Sequence, residues 1–290
     1  VMAVHTFLSK TYRRTGTGMN WEIRRWEGQF WHDEADLAHT PASRLERVRL
    51  WESQTGRLLG IATPEDGGDV HLQIDPKHRT LEPDMLTWAE EHLSVETDGF
   101  RTLTTFCLAG DTYRAGILRR RGYVLQGWGS VQRWRDLTTP LPKTRSKKKY
   151  DIRGLGDGDR AEYERLTSLI NASFGHDFSP DALRNFASSP SYNPSLQIVA
   201  ERDGMLVSHV GVTIDKLAKL AIVEPVCTHP DWQGKGLAAP AMAEGLKRAA
   251  KLGATRAVVG TGITNPSNRV YSMLAFDYTE VVQAWVKTWA

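Results

Sequence analysis

A short glycine-containing run lies where a predicted strand gives way to a predicted helix in the second half of this 290-residue chain. Such a loop leaves backbone N–H groups unpaired at the positive end of the helix dipole, where a pyrophosphate can bind. Glycine also lets a phosphate approach the backbone without a Cβ in the way. The run therefore predicts a phosphate-binding loop, although an ordinary strand-to-helix corner is the alternative. Its residues are Gln233, Gly234, Lys235, Gly236, Leu237 and Ala238.

A second set of chemically useful residues follows about thirty positions later, in the run NPSNRVYSMLAFDY. Asn265 can cap a helix that begins at Pro266, which places Asn268 and Tyr271 three residues apart on one face. A tyrosine hydroxyl can donate a proton to a departing group. The alternative is that Tyr271 packs in the core with its hydroxyl hydrogen-bonded.

These residues need a framework of alternating strands and helices to position them. The patterns predict helices near 159–174, over 236–252 and over 266–274, and strands over 196–202, 205–214, 220–227 and 256–260. Two closing strands are expected before residue 289. The pair Asp203-Gly204 predicts a tight hairpin turn between the first two strands. The second half is therefore predicted to be an α+β domain with a mixed sheet.

The first half repeats this plan in a blurred form, which indicates an internal duplication. The strand-like 70–76 corresponds to 223–230, and the helix-like 81–93 corresponds to 237–252. We predict a leader or tag-like segment at 1–18, a first domain at 19–136, a basic linker at 137–150 and a second domain at 151–290. The loop at 75–83 has no glycine where a phosphate would need close approach to the backbone.

The pattern Gln233-x-x-Gly236-x-Ala238, with the later Asn268 and Tyr271, resembles the signature of the GNAT superfamily of N-acetyltransferases. The resemblance implies two GNAT-like domains, each a central, mostly antiparallel sheet flanked by helices, with a degenerate N-terminal half. It also implies that acetyl-CoA, or another acyl-CoA, is the acyl donor. Ala275-Phe276 stands where the family usually has Gly-Phe.

The resemblance further assigns roles to individual residues. Pro225 fits the place where the family's fourth and fifth strands splay apart and the pantetheine arm inserts, since proline cannot donate to a fully paired ladder. Around Cys227, the backbone of Val226 and Thr228 would then bond the pantetheine amides. The N–H groups of 233–238 would bind the pyrophosphate. Asn268 would contact coenzyme A, and Tyr271 would be the general acid for the departing thiolate.

Glu224 is the best candidate for the base that deprotonates the acceptor amine. An ammonium has no lone pair, so it must lose a proton before or during its attack on a thioester. Strand alternation would place Glu224 on the face of Val226 and Thr228. Binding of the substrate ammonium, exposure to solvent and a water chain as the base stay open as alternatives. Cys227 should point to the opposite face and is not predicted to be a nucleophile.

Composition narrows the list of partners. A formal charge of +3 is too small to indicate nucleic acid or a membrane, and the Lys147-Lys148-Lys149 run is interpreted as a solvated connector. Two cysteines without metal-ligand spacing favour the reduced cytoplasm and no metal site. We expect a small-molecule amine as the acceptor and leave open whether the chain forms a homodimer. A non-catalytic acyl-CoA sensor or scaffold, and a transferase that uses aminoacyl-tRNA, are the alternative functions.

Overall fold

The computed structural model describes residues 1–16, 21–31, 45–65, 68–144, 150–156 and 158–289. Its helices, numbered in chain order, are α1 (Met2–Thr15), α2 (Ile23–Trp31), α3 (Glu82–His92), α4 (Thr112–Arg120), α5 (Arg160–Phe174), α6 (Pro180–Phe186), α7 (Ala238–Lys251) and α8 (Asn268–Met273).

The strands fall into two groups along the chain. Those of the first half are β1 (Arg49–Glu52), β2 (Leu58–Pro64), β3 (Asp69–Ile74), β4 (Val95–Thr97), β5 (Phe100–Leu108) and β6 (Val124–Asp136). Those of the second half are β7 (Asp151–Gly154), β8 (Gln197–Arg202), β9 (Met205–Asp215), β10 (Leu220–Thr228), β11 (Arg256–Gly262) and β12 (Tyr278–Trp289).

The chain divides into two compact units that do not follow the order of the sequence. The first unit comprises the described residues of Val1–Trp26, Ala38–Val131 and Glu280–Ala290. The second comprises those of Glu27–Leu37 and Gln132–Thr279. The end of β12, which the sequence assigns to the second domain, therefore belongs to the first unit. The predicted linker begins inside the second unit, and its Lys147–Lys149 run lies outside the described residues.

The second unit is built on a mixed sheet. Strands β7, β8, β9 and β10 pair in antiparallel fashion, whereas β10 and β11 are parallel and are joined by α7. One face packs on α7 and α8 through a cluster that includes Val212, Met242 and Tyr271. The other face packs on α5 and α6 through a cluster that includes Leu166 and Val199. Because helices cover both faces, both sides of the central strands are apolar.

The first unit has the same local plan. Strands β1 to β3 are antiparallel, and β3 pairs with β5 in parallel after the crossover through α3. Helices α3 and α4 bury Leu86, Ala89 and Leu118 against this sheet. The predicted α+β fold, with a mixed sheet flanked by helices in each half, is therefore confirmed.

Several details differ from the prediction. A single strand, β12, replaces the two closing strands, and α6 and β7 were not predicted. Helix α7 begins at Ala238, since Gly234 and Gly236 both have left-handed φ angles, of 71° and 74°. The predicted hairpin turn at Asp203-Gly204 is present, with φ angles of 51° and 79°.

The expectation that residues 1–18 lie outside the fold is wrong for the part that the structure describes. Residues Met2–Thr15 form α1, which packs along β2. Leu8 and Tyr12 are buried on its inner side, and Arg14 forms an ion pair of 2.6 Å with Asp75. The last turn of α1 carries Arg13 and Arg14, cations that suit the C-terminus of a helix.

Candidate functional site

Strands β10 and β11 run side by side for only three residue pairs and then separate. The last registered pair is Ile222 with Val258, although β10 continues to Thr228 and β11 to Gly262. A register shift on the β9 side falls between Val223 and Val226, around Pro225. The second half of β10 thus keeps one neighbouring strand and leaves its other edge without a registered partner strand among the described residues.

The backbone of β10 offers hydrogen-bonding groups along that open edge. The N–H of His229 donates to the carbonyl of Val207 at 3.1 Å, and Cys227 lies opposite His209. Hydrogen-bonded pairs alternate along an antiparallel ladder, so Cys227 and His229 direct their backbone groups toward β9. Val226 and Thr228 must therefore direct theirs toward the space between β10 and β11.

The glycine-containing loop lies between the end of β10 and the start of α7. The added Cβ at Gly234 or Gly236 would meet no heavy atom within 4 Å, so space is open above both. No side chain caps the start of α7, and its first turn carries no acidic residue. This arrangement leaves N–H groups and the positive end of the dipole available to an anion.

Two loop side chains are held against the chain itself. Gln233 donates from Nε2 to the carbonyl of Thr228 at 3.3 Å, which ties the loop to the end of β10. Lys235 donates from Nζ to the carbonyl of Asp231 at 2.5 Å. Behind them, Leu237 is buried and Ala238 begins the helix. Hydrogen bonds from its own side chains therefore stabilise the loop.

Tyr271 is 4% exposed and lies in the core cluster on the α7 and α8 face of the sheet. Burial raises the pKa of its hydroxyl, a hydrogen bond with Ser267 opposes that rise, and the charge of Glu224 adds to it. Tyr271 is therefore protonated at neutral pH.

The face assigned to Glu224 from simple alternation does not follow from the structure. The register shift between Val223 and Val226 places two residues, Glu224 and Pro225, opposite Gly211 alone. The face of Glu224 therefore cannot be inferred from that of Val226 by strand alternation, because the strand is irregular between them. The charge of Glu224 acts on Tyr271, and the role of Glu224 as a base stays a prediction.

Asn268 is engaged with its own loop. Its Nδ2 donates to the carbonyls of Gly262, Ile263 and Asn265, at 3.1, 3.2 and 2.9 Å. Asn265 accepts from the N–H of Ser267 at 2.9 Å, but α8 begins at Asn268 with Ser267 at its N-cap position, so the predicted helix start at Pro266 is wrong. Asn268 thus fixes the turn between β11 and α8, and direct contact with coenzyme A stays a prediction.

Cys227 points away from the space between the strands. It is buried in the cluster on the α5 and α6 face, whereas its neighbour Val226 packs on the α7 and α8 cluster. Burial raises the pKa of the thiol to about 12. The side chain is therefore protonated and facing the core, in agreement with the expectation that it is no nucleophile.

Sequence reasoning missed two arginines of β6 that hold α8 in place. Arg133 donates from Nη1 to the carbonyl of Asn268 at 2.9 Å and from Nη2 to the carbonyl of Phe276 at 2.8 Å. Arg135 donates from Nη1 to the carbonyl of Leu274 at 2.7 Å. The carbonyls of Leu274 and Phe276 lie at and just beyond the C-terminal end of α8, where acceptors lack intrahelical partners. The sequence signal that could have identified them is the spacing of two residues between the arginines in VQRWRD, which places both side chains on the same face of a strand.

The loop of the first unit that corresponds to 233–238 is built differently. Asp75 caps a tight 3₁₀ turn at Pro76–Leu81, and α3 follows at once with Glu82 and Asp84 in its first turn. Buried Glu82 forms an ion pair of 2.9 Å with Arg114. Carboxylates thus stand at the helix end where a phosphate would need positive potential.

Comparisons with known proteins agree with this architecture. Residues 163–276 match the family described as Acetyltransferase (GNAT) family. No curated protein matches the chain.

Solved structures extend the likeness over nearly the whole chain. A GCN5-related N-acetyltransferase from Sphaerobacter thermophilus has a TM-score of 0.65 at 15% identity, covering 99% of this chain and 91% of its own. A tandem GNAT protein from the clavulanic acid biosynthesis pathway has a TM-score of 0.63 at 15% identity, covering 99% and 94%. A GNAT-family acetyltransferase from Colwellia psychrerythraea has a TM-score of 0.57 at 12% identity, covering 91% and 96%. At these identities the likeness establishes the fold.

The class is therefore a mixed α/β protein of GNAT architecture, with a tandem arrangement of that fold. Its second half contains a GNAT acetyltransferase domain, which residues 163–276 match. In the part of the chain that the structure describes, none of the helices has the length and apolar character needed to cross a membrane.

Proposed function

We propose that this protein transfers an acyl group, acetyl from acetyl-CoA, directly to a primary amine of a small molecule in the cytoplasm. The observation that carries the proposal is the open edge of β10 between Val226 and Thr228, which lies between the glycine-containing loop and the pair Glu224 and Tyr271. A donor with a phosphate end, an amide-bearing arm and a thioester matches these three features in that order. The fold class supports acyl transfer generally.

The residues of the second unit fit the phosphate and amide parts of acyl-CoA. The loop 233–238 supplies N–H groups that no side chain caps, with two glycines that leave the approach open. Val226 and Thr228 present backbone groups that could pair with the amides of an extended arm. When bound, acyl-CoA supplies an activated carbonyl for attack by the amine.

Two side chains would move the protons of this reaction. Glu224, directly or through water, takes one proton from the acceptor ammonium, so that nitrogen gains the lone pair that attack requires. The C–N bond forms and the C–S bond breaks, and Tyr271 gives its proton to the departing sulfur. The second proton lost by nitrogen restores the hydroxyl of Tyr271. The raised pKa of Tyr271 supports this role because the hydroxyl keeps its proton at neutral pH.

Release of free thiol from acetyl-CoA across a panel of amines tests the reaction, with calorimetry for donor binding. We expect binding of acetyl-CoA without an acceptor and thiol release that depends on one or more amines. Failure to bind any acyl-CoA would contradict the proposal at its base. Binding without release across small amines and peptides would favour the alternative function, an acyl-CoA sensor or scaffold.

A transferase that uses aminoacyl-tRNA is a weaker candidate. Such a protein would take its acyl group from a nucleic acid, so the loop 233–238 would have no pyrophosphate to bind. Thiol release with acetyl-CoA, together with no transfer from charged tRNA, would exclude it.

A further inference from the structure

An indole ring lies immediately before the glycine-containing loop. Trp232 ends the 3₁₀ turn Pro230–Trp232, and its ring meets that of Tyr150 edge to face, with centroids 6.0 Å apart. It packs against a buried cluster that includes Tyr150, Val207 and Leu237. This packing fixes the orientation of the ring in the second unit.

Two cations from different elements lie over this ring. The Nζ of Lys235 is 4.3 Å from the ring centroid of Trp232, and the Cζ of Arg202 is 5.2 Å from it. Arg202 also lies 5.9 Å from the ring of Tyr150. Like charges repel, so their approach to one indole reflects attraction between each cation and the face of the ring. Arg202, at the end of β8, is thereby brought beside the loop that contains Lys235.

The nearby carboxylates compensate these charges weakly. Asp203 accepts from Nε of Arg202 at 3.0 Å, and its side chain is 83% exposed. Asp231 lies 3.8 Å from Nδ1 of His229, and its side chain is 84% exposed. Exposed ion pairs contribute little free energy, because water screens both partners. The exposed carboxylate of Asp203 therefore holds Arg202 only weakly.

We propose that Arg202 and Lys235, held on Trp232, bind the 3′-phosphate of coenzyme A. This inference rests on the proposed function and adds a second phosphate site to it. The N–H groups of the loop can bind a pyrophosphate. The 3′-phosphate is a phosphomonoester with a negative charge between one and two, and cationic side chains bind such a group best. Lys235 belongs to the loop itself, so its ammonium lies beside any nucleotide bound there. A guanidinium and an ammonium that lie over one ring supply the two cations that such a site needs.

The test compares coenzyme A with 3′-dephospho-coenzyme A, which lacks only this phosphate, by calorimetry on the full chain. We expect the protein to bind coenzyme A about tenfold more tightly than 3′-dephospho-coenzyme A, because charge-assisted hydrogen bonds to one phosphate would give a difference of this size. Arg202→Gln and Lys235→Gln keep a polar side chain of similar reach without the charge. Each should reduce that affinity ratio at least about threefold, because binding of coenzyme A should fall more than binding of the dephospho form.

Lys251→Gln is the matched control. It removes the same charge at the last residue of α7, a 14-residue helix, about 20 Å from the loop. The affinity ratio should stay at the wild-type value in this variant.

Three results would overturn the inference. The first is equal affinity of the unaltered protein for the two nucleotides. The second is an equal loss for both nucleotides in Arg202→Gln and Lys235→Gln, and the third is the same loss of ratio in Lys251→Gln. Binding of neither nucleotide by the unaltered protein would instead refute the proposed function. The comparison of two nucleotides on one protein needs no variant, so a variant that fails to fold does not prevent the test.

Discussion

Tyr271 shows how its surroundings prepare a side chain for proton donation. Burial of this residue, which is 4% exposed, raises the pKa of its hydroxyl, and the charge of Glu224 adds to the rise, since a phenolate there would be poorly solvated and repelled. The hydrogen bond from Ser267 works against that rise but does not reverse it. The same residue packs edge to face on Phe276 at 6.1 Å, so its core role and its proposed chemical role coexist.

Removal of this hydroxyl should slow acyl transfer without weakening the donor complex. In Tyr271→Phe we expect kcat to fall about 10²-fold, as general acids typically contribute, and the Kd of acetyl-CoA to stay within about twofold. Thiol-release kinetics and calorimetry measure the two quantities. Tyr278→Phe, at an exposed tyrosine, is the control. An unchanged kcat in Tyr271→Phe would remove this residue from the mechanism.

The proposed role of Glu224 makes a prediction about pH. Without a base, the rate depends on the free amine, whose concentration rises about tenfold per pH unit below its pKa of about 10. The rate of Glu224→Gln should therefore be lowest, relative to the unaltered protein, near pH 7 and should approach it as the pH rises to 9. Rates with one amine across that range measure the ratio.

Glu164→Gln, an exposed glutamate on α5, serves as the control for the charge change. A ratio that stays constant with pH would indicate that Glu224 binds the ammonium or has another role. In that case a water chain would be the remaining candidate for the base.

At the scale of elements, the site depends on where strands stop pairing and helices begin. The separation of β10 from β11 after Ile222 and the left-handed glycines before α7 occur within about fifteen residues of chain. The turn after α8 has a left-handed alanine, Ala275, with φ of 57°, where the family usually has glycine. Arg135, which donates to the carbonyl of the preceding Leu274, helps to hold that conformation.

A matched pair of glycine substitutions can distinguish a specific loss of acetyl-CoA binding from a general loss of stability. Gly236→Ala and Gly253→Ala each place a Cβ in open space at a left-handed φ, of 74° and 98°. Each should cost about 1–2 kcal/mol of stability. Only Gly236→Ala should also weaken acetyl-CoA binding, about tenfold, because a Cβ there meets the phosphate. Equal affinities in the two variants would show that the loop does not contact the donor.

At the scale of the molecule, each compact unit is completed by segments distant in sequence. The second unit includes Gln132–Thr279 and so takes the end of β6, with Arg133 and Arg135, from the first half of the sequence. The first unit includes Glu280–Ala290, where β12 pairs with β5 over eight residue pairs. The predicted boundary near 137–150 therefore describes the order of the repeats along the chain. Each folded unit also includes a short segment that lies on the other side of this boundary in the sequence.

Helix α1 should contribute to the stability of the first unit. Leu8 is 1% exposed, so Leu8→Ala should lower the free energy of unfolding by about 2–5 kcal/mol, since it removes buried methyl groups and leaves a cavity. Denaturant unfolding followed by tryptophan fluorescence measures this. Lys10→Ala, on the exposed side of the same helix, should change it by less than about 0.5 kcal/mol. A result for Leu8→Ala as small as that of Lys10→Ala would return α1 to the status of an appended segment.

The sequence by itself determined the features that depend on local contacts. The loop at 233–238, the apolar face of α7 and the hairpin at Asp203-Gly204 each follow from residues within a few positions of one another. The alternation of strands and helices, and hence the fold class, follows from periodicity in the same way. The absence of glycine at 75–83 likewise predicted, from local sequence, a loop that a phosphate cannot approach closely.

Tertiary structure alone decided the features that join distant residues. Arg133 reaches Asn268 across 135 positions, and no local pattern encodes that pairing. The register shift at Pro225 depends on how β9 meets β10, so the orientation of Glu224 could not be counted from its own strand. Arg202 meets Lys235 only because Trp232 brings their elements together. Local periodicity specifies which faces are apolar, whereas the packing of those faces specifies which polar groups meet.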